Sequence, residues 1–288
     1  MKILALYVER TLSMVRRIQA PFSVLSSRAH AFSFMQIPTF EPGHASGYDV
    51  TVLPNWVLSD EEREALLSAS HHTNFLYDLS DLDLLQKSTV RDTMRLCRYV
   101  TVPNMYMQHE VEVALPGTHV AITPSCMDIP YFMTGNTSPR ASSPCIGCVG
   151  PYDWHLVKDA LYEVKMHSPK TVFLGDAGAQ EVLGECITRV NLTVESYPHF
   201  LHSCLFGLAP IERARGQELL WVHEYGLLCK PVIQRRGNVL AEMRQLLFDS
   251  SYRSECGQLA HKEAKQHSAV LLADQYLKVY RKLLPILR

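Results

Sequence analysis

An alternation that occurs twice constrains this 288-residue chain more than any other feature. Apolar runs of strand length, KILALY (2–7), DVTVL (49–53), NFLYD (74–78), YVTV (99–102) and HVAIT (119–123), are separated by longer stretches with helical spacing. One of these, DEEREALLSAS (60–70), opens with an acidic turn, as a helix N-terminus does. MTGNTSPRASSP (133–144) then breaks all periodicity with Gly, Ser, Thr and Pro and reads as a linker. Beyond it the pattern restarts: CIGCVG (145–150), a helix over about 153–167, TVFLG (171–175), NLTVE (191–195), CLFGLAP (204–210), a helix over about 216–229, and PVIQ (231–234). Strands joined through helices form parallel sheets, because a parallel neighbour is reached only by a crossover. The sequence therefore predicts an α/β protein with two doubly wound domains facing a cleft. They span 1–135 and 136–266, and a final helix within 267–288 packs back on the first.

Composition narrows the function classes. Apolar residues make up 47% and charged residues 20%, which describes a folded domain rather than a disordered chain. Twenty-eight Lys and Arg against 29 Asp and Glu leave no overall field to attract nucleic acid or an anionic membrane. The basic C-terminal stretch, with KVYRK at 278–282, is a solvated helix face or a local anion contact. The opening MKILALYVER is too short in its apolar part for a signal peptide, and no apolar run reaches spanning length. The eight cysteines sit mainly in apolar contexts, as expected of reduced thiols in a cytoplasmic protein, bacterial or virus-encoded. Cys145 and Cys148 have chelating spacing, but no second pair completes four ligands, so no metal is expected.

In open α/β sheets ligands gather beyond the carboxyl ends of the strands, where backbone N–H groups attract phosphate. Gly150 in GCVGPYDW and Gly175 in LGDAG both stand at such ends. Neither stretch matches the dinucleotide or P-loop glycine pattern, which disfavours an ordinary dehydrogenase or ATPase. Turn geometry alone also accounts for a glycine there. In APIERARGQELLWVHEYGLLCKPVI (209–233), Arg213 and Arg215 precede Gly216 and a helix that carries Glu224. Two arginines at a helix N-terminus suit a diphosphate, and a carboxylate suits a ribose diol. The plain alternative is a surface loop before a capped helix.

That segment resembles the donor-site region of the retaining glycosyltransferases with two Rossmann-like domains, the GT-B type and family 4 in particular. CIGCVGPYDWHLVKDAL and TVFLGDAG are similar to the family's opening of the second domain. VRRIQAPFSVL (15–25), YDVTVLPNW, FLYDLSDLD (75–83), VTVPNMYMQHEV and HVAITPSCMD (119–128) resemble first-domain segments in the same order. The resemblance covers nearly the whole chain, though each piece is loose. It departs at positions that matter. Of the family's frequent Glu pair only Glu224 is present, with Gly216 at the earlier position, and Gln217 and Trp221 stand where Lys is common. Asp78, Asp81 and Asp83 are kept, but Ser80 replaces a frequent Asp, and Cys126 a usual Asn.

The resemblance implies transfer of a sugar from a nucleotide-sugar, with a UDP-sugar as co-substrate, retention at the anomeric carbon and no cofactor. The growing charge on the leaving nucleotide is then met by fixed cations and N–H groups. Donor contacts fall on Gly150, His155, Lys158, Gly175, Arg213, Arg215, Gly216, Gln217 and Glu224. Asp81, Asp78 and Arg17 are the catalytic candidates on the acceptor side; His71 and His72 precede a strand and read as structural. The acceptor is a glycan, a lipid-linked sugar or a hydroxylated base in viral DNA, and no integral membrane association is expected. A sugar-nucleotide epimerase and a non-catalytic nucleotide-sugar-binding protein are the alternatives.

Overall fold

The computed structural model describes residues 1–27, 30–137, 143–150, 152–210, 220–234 and 238–284. The chain divides into two compact units: Met1–Asp128 together with the C-terminal stretch from Ala269, and Ile129–Ser268. In the first unit, strands β1 (Lys2–Tyr7), β2 (Ala31–Gln36), β3 (Val50–Pro54), β4 (Asn74–Asp78), β5 (Tyr99–Val102) and β6 (Val120–Ile122) form one sheet. Its order is β2-β1-β3-β4-β5-β6 and every pairing is parallel. In the second unit, β7 (Cys145–Cys148), β8 (Val172–Gly175), β9 (Ile187–Arg189), β10 (Phe206–Leu208) and β11 (Val232–Ile233) pair in the order β11-β10-β7-β8-β9, again all parallel. Each sheet is therefore doubly wound: its order reverses between β1 and β3 in the first and between β7 and β10 in the second.

Both faces of the first sheet are covered. Leu4, Leu6, Leu53, Phe75 and Tyr77 pack on one side with the helix Asp60–Ala69. Ile3, Ala5, Val50 and Val52 pack on the other with Phe22, Tyr276 and Tyr280. Each such aliphatic or aromatic side chain, fully buried, contributes about 1.5–3 kcal/mol by leaving water. Tyr276 and Tyr280 belong to the helix Ala269–Leu283, and the Tyr276 hydroxyl donates to the carbonyl of Pro124 at 2.8 Å. The helix Asp60–Ala69 starts at a capping box. Ser59 Oγ accepts from the Glu62 amide, and Glu62 accepts from the Ser59 and Phe40 amides, both at 2.8 Å.

In the second unit a glycine cradle sets the spacing of the layers. The helix Leu220–Leu227 lays Tyr225 across β7 and β10 at the two places where the strands carry Gly147 and Gly207. A Cβ at Gly147 would stand 1.8 Å from the Tyr225 hydroxyl oxygen, and one at Gly207 would stand 2.9 Å from the ring. The same helix meets the helix Ser250–Ala264 equally closely: a Cβ at Gly226 would lie 2.6 Å from the Ala260 carbonyl oxygen.

One expectation is corrected and one strand is added. The run NLTVE (191–195) is not a strand; the edge strand is Ile187–Arg189, just upstream. Thr193 and Ser196 bond their side-chain oxygens to local amides, Thr193 N to Ser196 Oγ at 2.9 Å and Ser196 N to Thr193 Oγ1 at 3.2 Å. Such local bonds compete with a ladder and close a turn instead. Ala31–Gln36 forms an edge strand that its half-exposed composition conceals.

Candidate functional site

Each unit has a site region where its strand order reverses, the position at which open α/β sheets hold ligands. In the second unit the loops after β7 and β10 flank this point. The Asp153 amide donates to the Pro210 carbonyl at 2.9 Å and ties the two loops together. Gly150 adopts φ +121°, a backbone that only glycine takes easily, and a Cβ there would meet the Tyr152 ring at 2.6 Å. Its amide donates to Asp176 Oδ2 at 2.8 Å, while Asp176 Oδ1 caps the next helix through the Ala179 amide at 2.9 Å. The expected free N–H at this strand end is therefore bound to a carboxylate, and that carboxylate bridges β7 and β8. Gly175 is explained by packing, since a Cβ would meet Ile187 at 2.8 Å and the Cys148 carbonyl oxygen at 2.9 Å.

His155 is exposed in the single turn Trp154–Leu156, and Lys158 is half-buried at the start of the helix Lys158–His167. His155 stands on the loop that the Asp153–Pro210 bond anchors, and Lys158 opens the helix that follows it. Arg213, Arg215, Gly216 and Gln217 lie outside the described residues. Glu224 is fully buried on the helix Leu220–Leu227 and accepts from the Tyr197 hydroxyl at 2.6 Å. The carboxylate expected to meet a ribose is thus covered and bonded within its own unit.

Cys145 and Cys148 are both buried in β7. Residues three apart on a strand point to opposite faces, so they cannot share one ion. Burial pushes the Cys148 thiol well above its ordinary range and the nearby Cys204 thiol up to about 12. Such thiols pack as small apolar groups.

In the first unit Arg17 and Asp78 come together. Arg17 Nε donates to Asp78 Oδ2 at 2.9 Å and Nη2 to Oδ1 at 2.5 Å. Arg17 also donates to the Thr123 carbonyl and hydroxyl, and the Thr101 hydroxyl donates to Asp78 Oδ1 at 2.6 Å. Arg17 is 1% and Asp78 2% exposed. This network crosslinks the carboxyl ends of β4, β5 and β6 to the π-helical turn Val15–Gln19. The two groups expected to meet substrate instead hold one another below the surface. Asp81 is exposed and caps the turn Leu82–Gln86 through the Asp83 amide at 3.0 Å.

A cavity of about 320 Å³ opens beside this network at the switch point of the first sheet. Tyr7, Val8, Glu9, Thr11, Ser13 and Met14 line it from the end of β1, and Pro54, Asn55, Trp56 and Val57 from the end of β3. Asn55 has φ +50°, in the left-handed region that Asn tolerates better than most residues. Its position is fixed: Asn55 Nδ2 donates to Ser80 Oγ at 2.6 Å, the Ser80 amide donates to Asn55 Oδ1 at 2.8 Å, and Ser80 Oγ also meets Ser13 Oγ. Sequence reasoning missed these residues. The available signal was positional, since Glu9 and Asn55 each follow the carboxyl end of a predicted strand.

The two parallel, doubly wound sheets have the two-Rossmann-domain architecture called GT-B, a fold found in glycosyltransferases and in UDP-GlcNAc 2-epimerases. Among solved structures the chain is similar to UDP-GlcNAc 2-epimerase from Neisseria meningitidis bound to UDP-GlcNAc. The identity is 10%, the TM-score is 0.53, and 99% of this chain and 100% of that one are covered. It is similar to UDP-GlcNAc 2-epimerase from Methanocaldococcus jannaschii at 8% identity and TM-score 0.51, over 98% and 100% of the two chains. It is also similar to TarM from S. aureus in complex with fondaparinux, alpha-GlcNAc-glycerol and UDP. There the identity is 10% and the TM-score 0.53, over 80% of this chain and 55% of that one. No protein-family model and no curated protein matches the chain. Among the described residues no helix is long and apolar enough to cross a membrane.

Proposed function

We propose that this protein is a glycosyltransferase that moves a sugar from a nucleotide-sugar, a UDP-sugar, to an acceptor hydroxyl with retention and without a metal. The observation that carries the reading is the Asp153–Pro210 hydrogen bond at the second switch point. It joins the loop that bears His155 and leads to Lys158 to the strand end from which the chain proceeds to Arg213 and Arg215. In this reading those cations receive the diphosphate and offset the charge that grows on it as the glycosidic bond breaks. Gly216 and Gln217 flank the same segment. Gly150 and Gly175 act by letting backbone and side chains approach closely, and Glu224 acts through the Tyr197 hydroxyl it holds. The UDP-containing complexes of the similar structures favour uridine as the base.

An epimerase is the second reading, favoured by the agreement along the whole length of the two epimerases. One experiment separates them. Melting is followed with UDP-, GDP-, ADP- and dTDP-sugars, with and without chelator, since a ligand of the folded state raises Tm. The preferred donor is then incubated alone and followed by NMR. A chelator-insensitive shift for the UDP-sugar, with no epimer formed and UDP released only when acceptor is added, supports transfer. Conversion to the epimer without acceptor establishes the second reading, and no shift with any donor removes both.

A further inference from the structure

We propose that the free edge of the first sheet, strand β2, joins two copies of this chain into a symmetric dimer by antiparallel pairing of Ala31–Gln36 with itself. β2 stands at the end of the order β2-β1-β3-β4-β5-β6, and among the described residues no strand lies on its outer side. An edge of this kind presents a row of unpaired N–H and C=O groups, which proteins blunt with Lys, Pro, a bulge or a very short strand. AFSFMQ has none of these devices. It runs six residues without a charge or a proline, and it pairs with β1 in one unbroken register from Lys2 and Ala31 to Tyr7 and Gln36. Ala31, Phe34 and Gln36 are exposed.

The ladder fixes which backbone groups are free. The Ala31 amide donates to the Met1 carbonyl at 3.3 Å and the Ile37 amide to the Tyr7 carbonyl at 3.0 Å. Residues 31, 33, 35 and 37 therefore turn their amides and carbonyls to β1, and the residues between them, Phe32, Phe34 and Gln36, turn theirs outward. A two-fold axis at Phe34 sets Phe34 of one copy against Phe34 of the other, and Phe32 of each copy against Gln36 of the other. All three pairs are of the hydrogen-bonded kind, so six backbone bonds form and no outward group from Phe32 to Gln36 is left over. An antiparallel pair is also what a two-fold interface requires, since each copy offers the same patch.

Side chains and charge favour the same partner. Phe34, 42% exposed, packs on Phe22 with ring centroids 5.4 Å apart, and the pairing sets it beside Phe34 of the second copy on the same face. The helix Ala20–Ser26, which carries Phe22, contains no charged residue and exposes Ser23 and Ser26. Neither the strand nor this helix brings like charges together, as a basic or acidic edge would on meeting its own copy. Interfaces carry about one hydrogen bond per 100–200 Å², so six bonds correspond to roughly 600–1,200 Å², at or below the lower end for a stable complex. The dimer is therefore reversible and depends on concentration.

The test is sedimentation velocity of the full chain from about 1 to about 200 μM, beside Phe34→Lys, Phe34→Glu and Gln36→Pro. Gln36→Pro removes an outward N–H and leaves the ladder to β1 in place, and melting curves report whether each variant is folded. The unaltered chain should pass from monomer to dimer as concentration rises. Each variant should weaken dimerisation at least about tenfold. An equimolar mixture of Phe34→Lys and Phe34→Glu should restore it, because residue 34 faces itself across the axis. Should either Phe34 variant fail to fold, Gln36→Pro decides alone. A chain that stays monomeric throughout leaves the edge to another occupant and overturns the proposal. So does a dimer that the folded variants leave unchanged, a mixture of the two folded charge variants that stays monomeric, or open-ended association beyond a dimer.

Discussion

Arg17 donates through Nε and Nη2 to the carboxylate of Asp78, and both side chains are all but sealed from solvent. Removing one partner leaves an uncompensated buried charge. Arg17→Met or Asp78→Leu alone should therefore cost about 3–5 kcal/mol, whereas the double variant should cost clearly less. Urea unfolding of the three variants checks this. Equal and additive losses would mean that the pair does not act as a unit.

The Gly147–Tyr225 contact predicts a steric penalty with a specific remedy. Gly147→Ala should destabilise by roughly 1–3 kcal/mol or more, because the new Cβ meets the phenol oxygen 1.8 Å away. Tyr225→Phe in the same chain should restore part of the loss, since it removes that oxygen while the ring carbon at 2.9 Å remains. A double-mutant cycle of melting temperatures shows the coupling or its absence.

His223 and His267 stack with ring centroids 3.9 Å apart at 19°. Burial, and after it the neighbouring His267, hold the His223 imidazole down to about 4 from its ordinary 6.5. Between these values the unfolded chain takes up a proton that the folded chain resists. Stability should therefore fall as pH drops from 6.5 towards 4, with no further change from this group below that window. His223→Gln should flatten the profile of Tm against pH across it; an unchanged slope would assign the dependence to other groups.

Cys229 follows the helix Leu220–Leu227 with φ +56° and an exposed side chain. Glycine is the preferred residue in that helix-ending conformation. Cys229→Gly should raise stability by up to about 1 kcal/mol, while Cys229→Ser should not. Chemical denaturation of the two variants distinguishes backbone relief from a side-chain effect.

Much of the architecture is legible in the sequence because parallel strands buried on both faces are written as continuous apolar runs. KILALY, NFLYD and YVTV fall on β1, β4 and β5 residue for residue. The edges are less legible. Ala31–Gln36 is half-exposed and Ile187–Arg189 is short, so neither stands out from its flanks, and the apolar letters of NLTVE belong to a turn closed by its own hydroxyls. At the sites, residue type was a poor guide. Arg17, Asp78 and Glu224 have the chemistry of a transfer site, yet each is buried against a partner in its own unit.

The sequence by itself determined two parallel α/β units, because crossover connections and the spacing of apolar runs permit little else. Only the tertiary structure decided which polar residues are spent on one another and which are left exposed. Asp78 is consumed by an arginine 61 positions away, while Glu9, marked in the sequence only by its place after a strand, stands at an open cavity. The physical reason is that the availability of a charge depends on what the fold packs against it. That partner arrives from a helical turn distant in sequence, brought to the strand end by a strand order that no local pattern records.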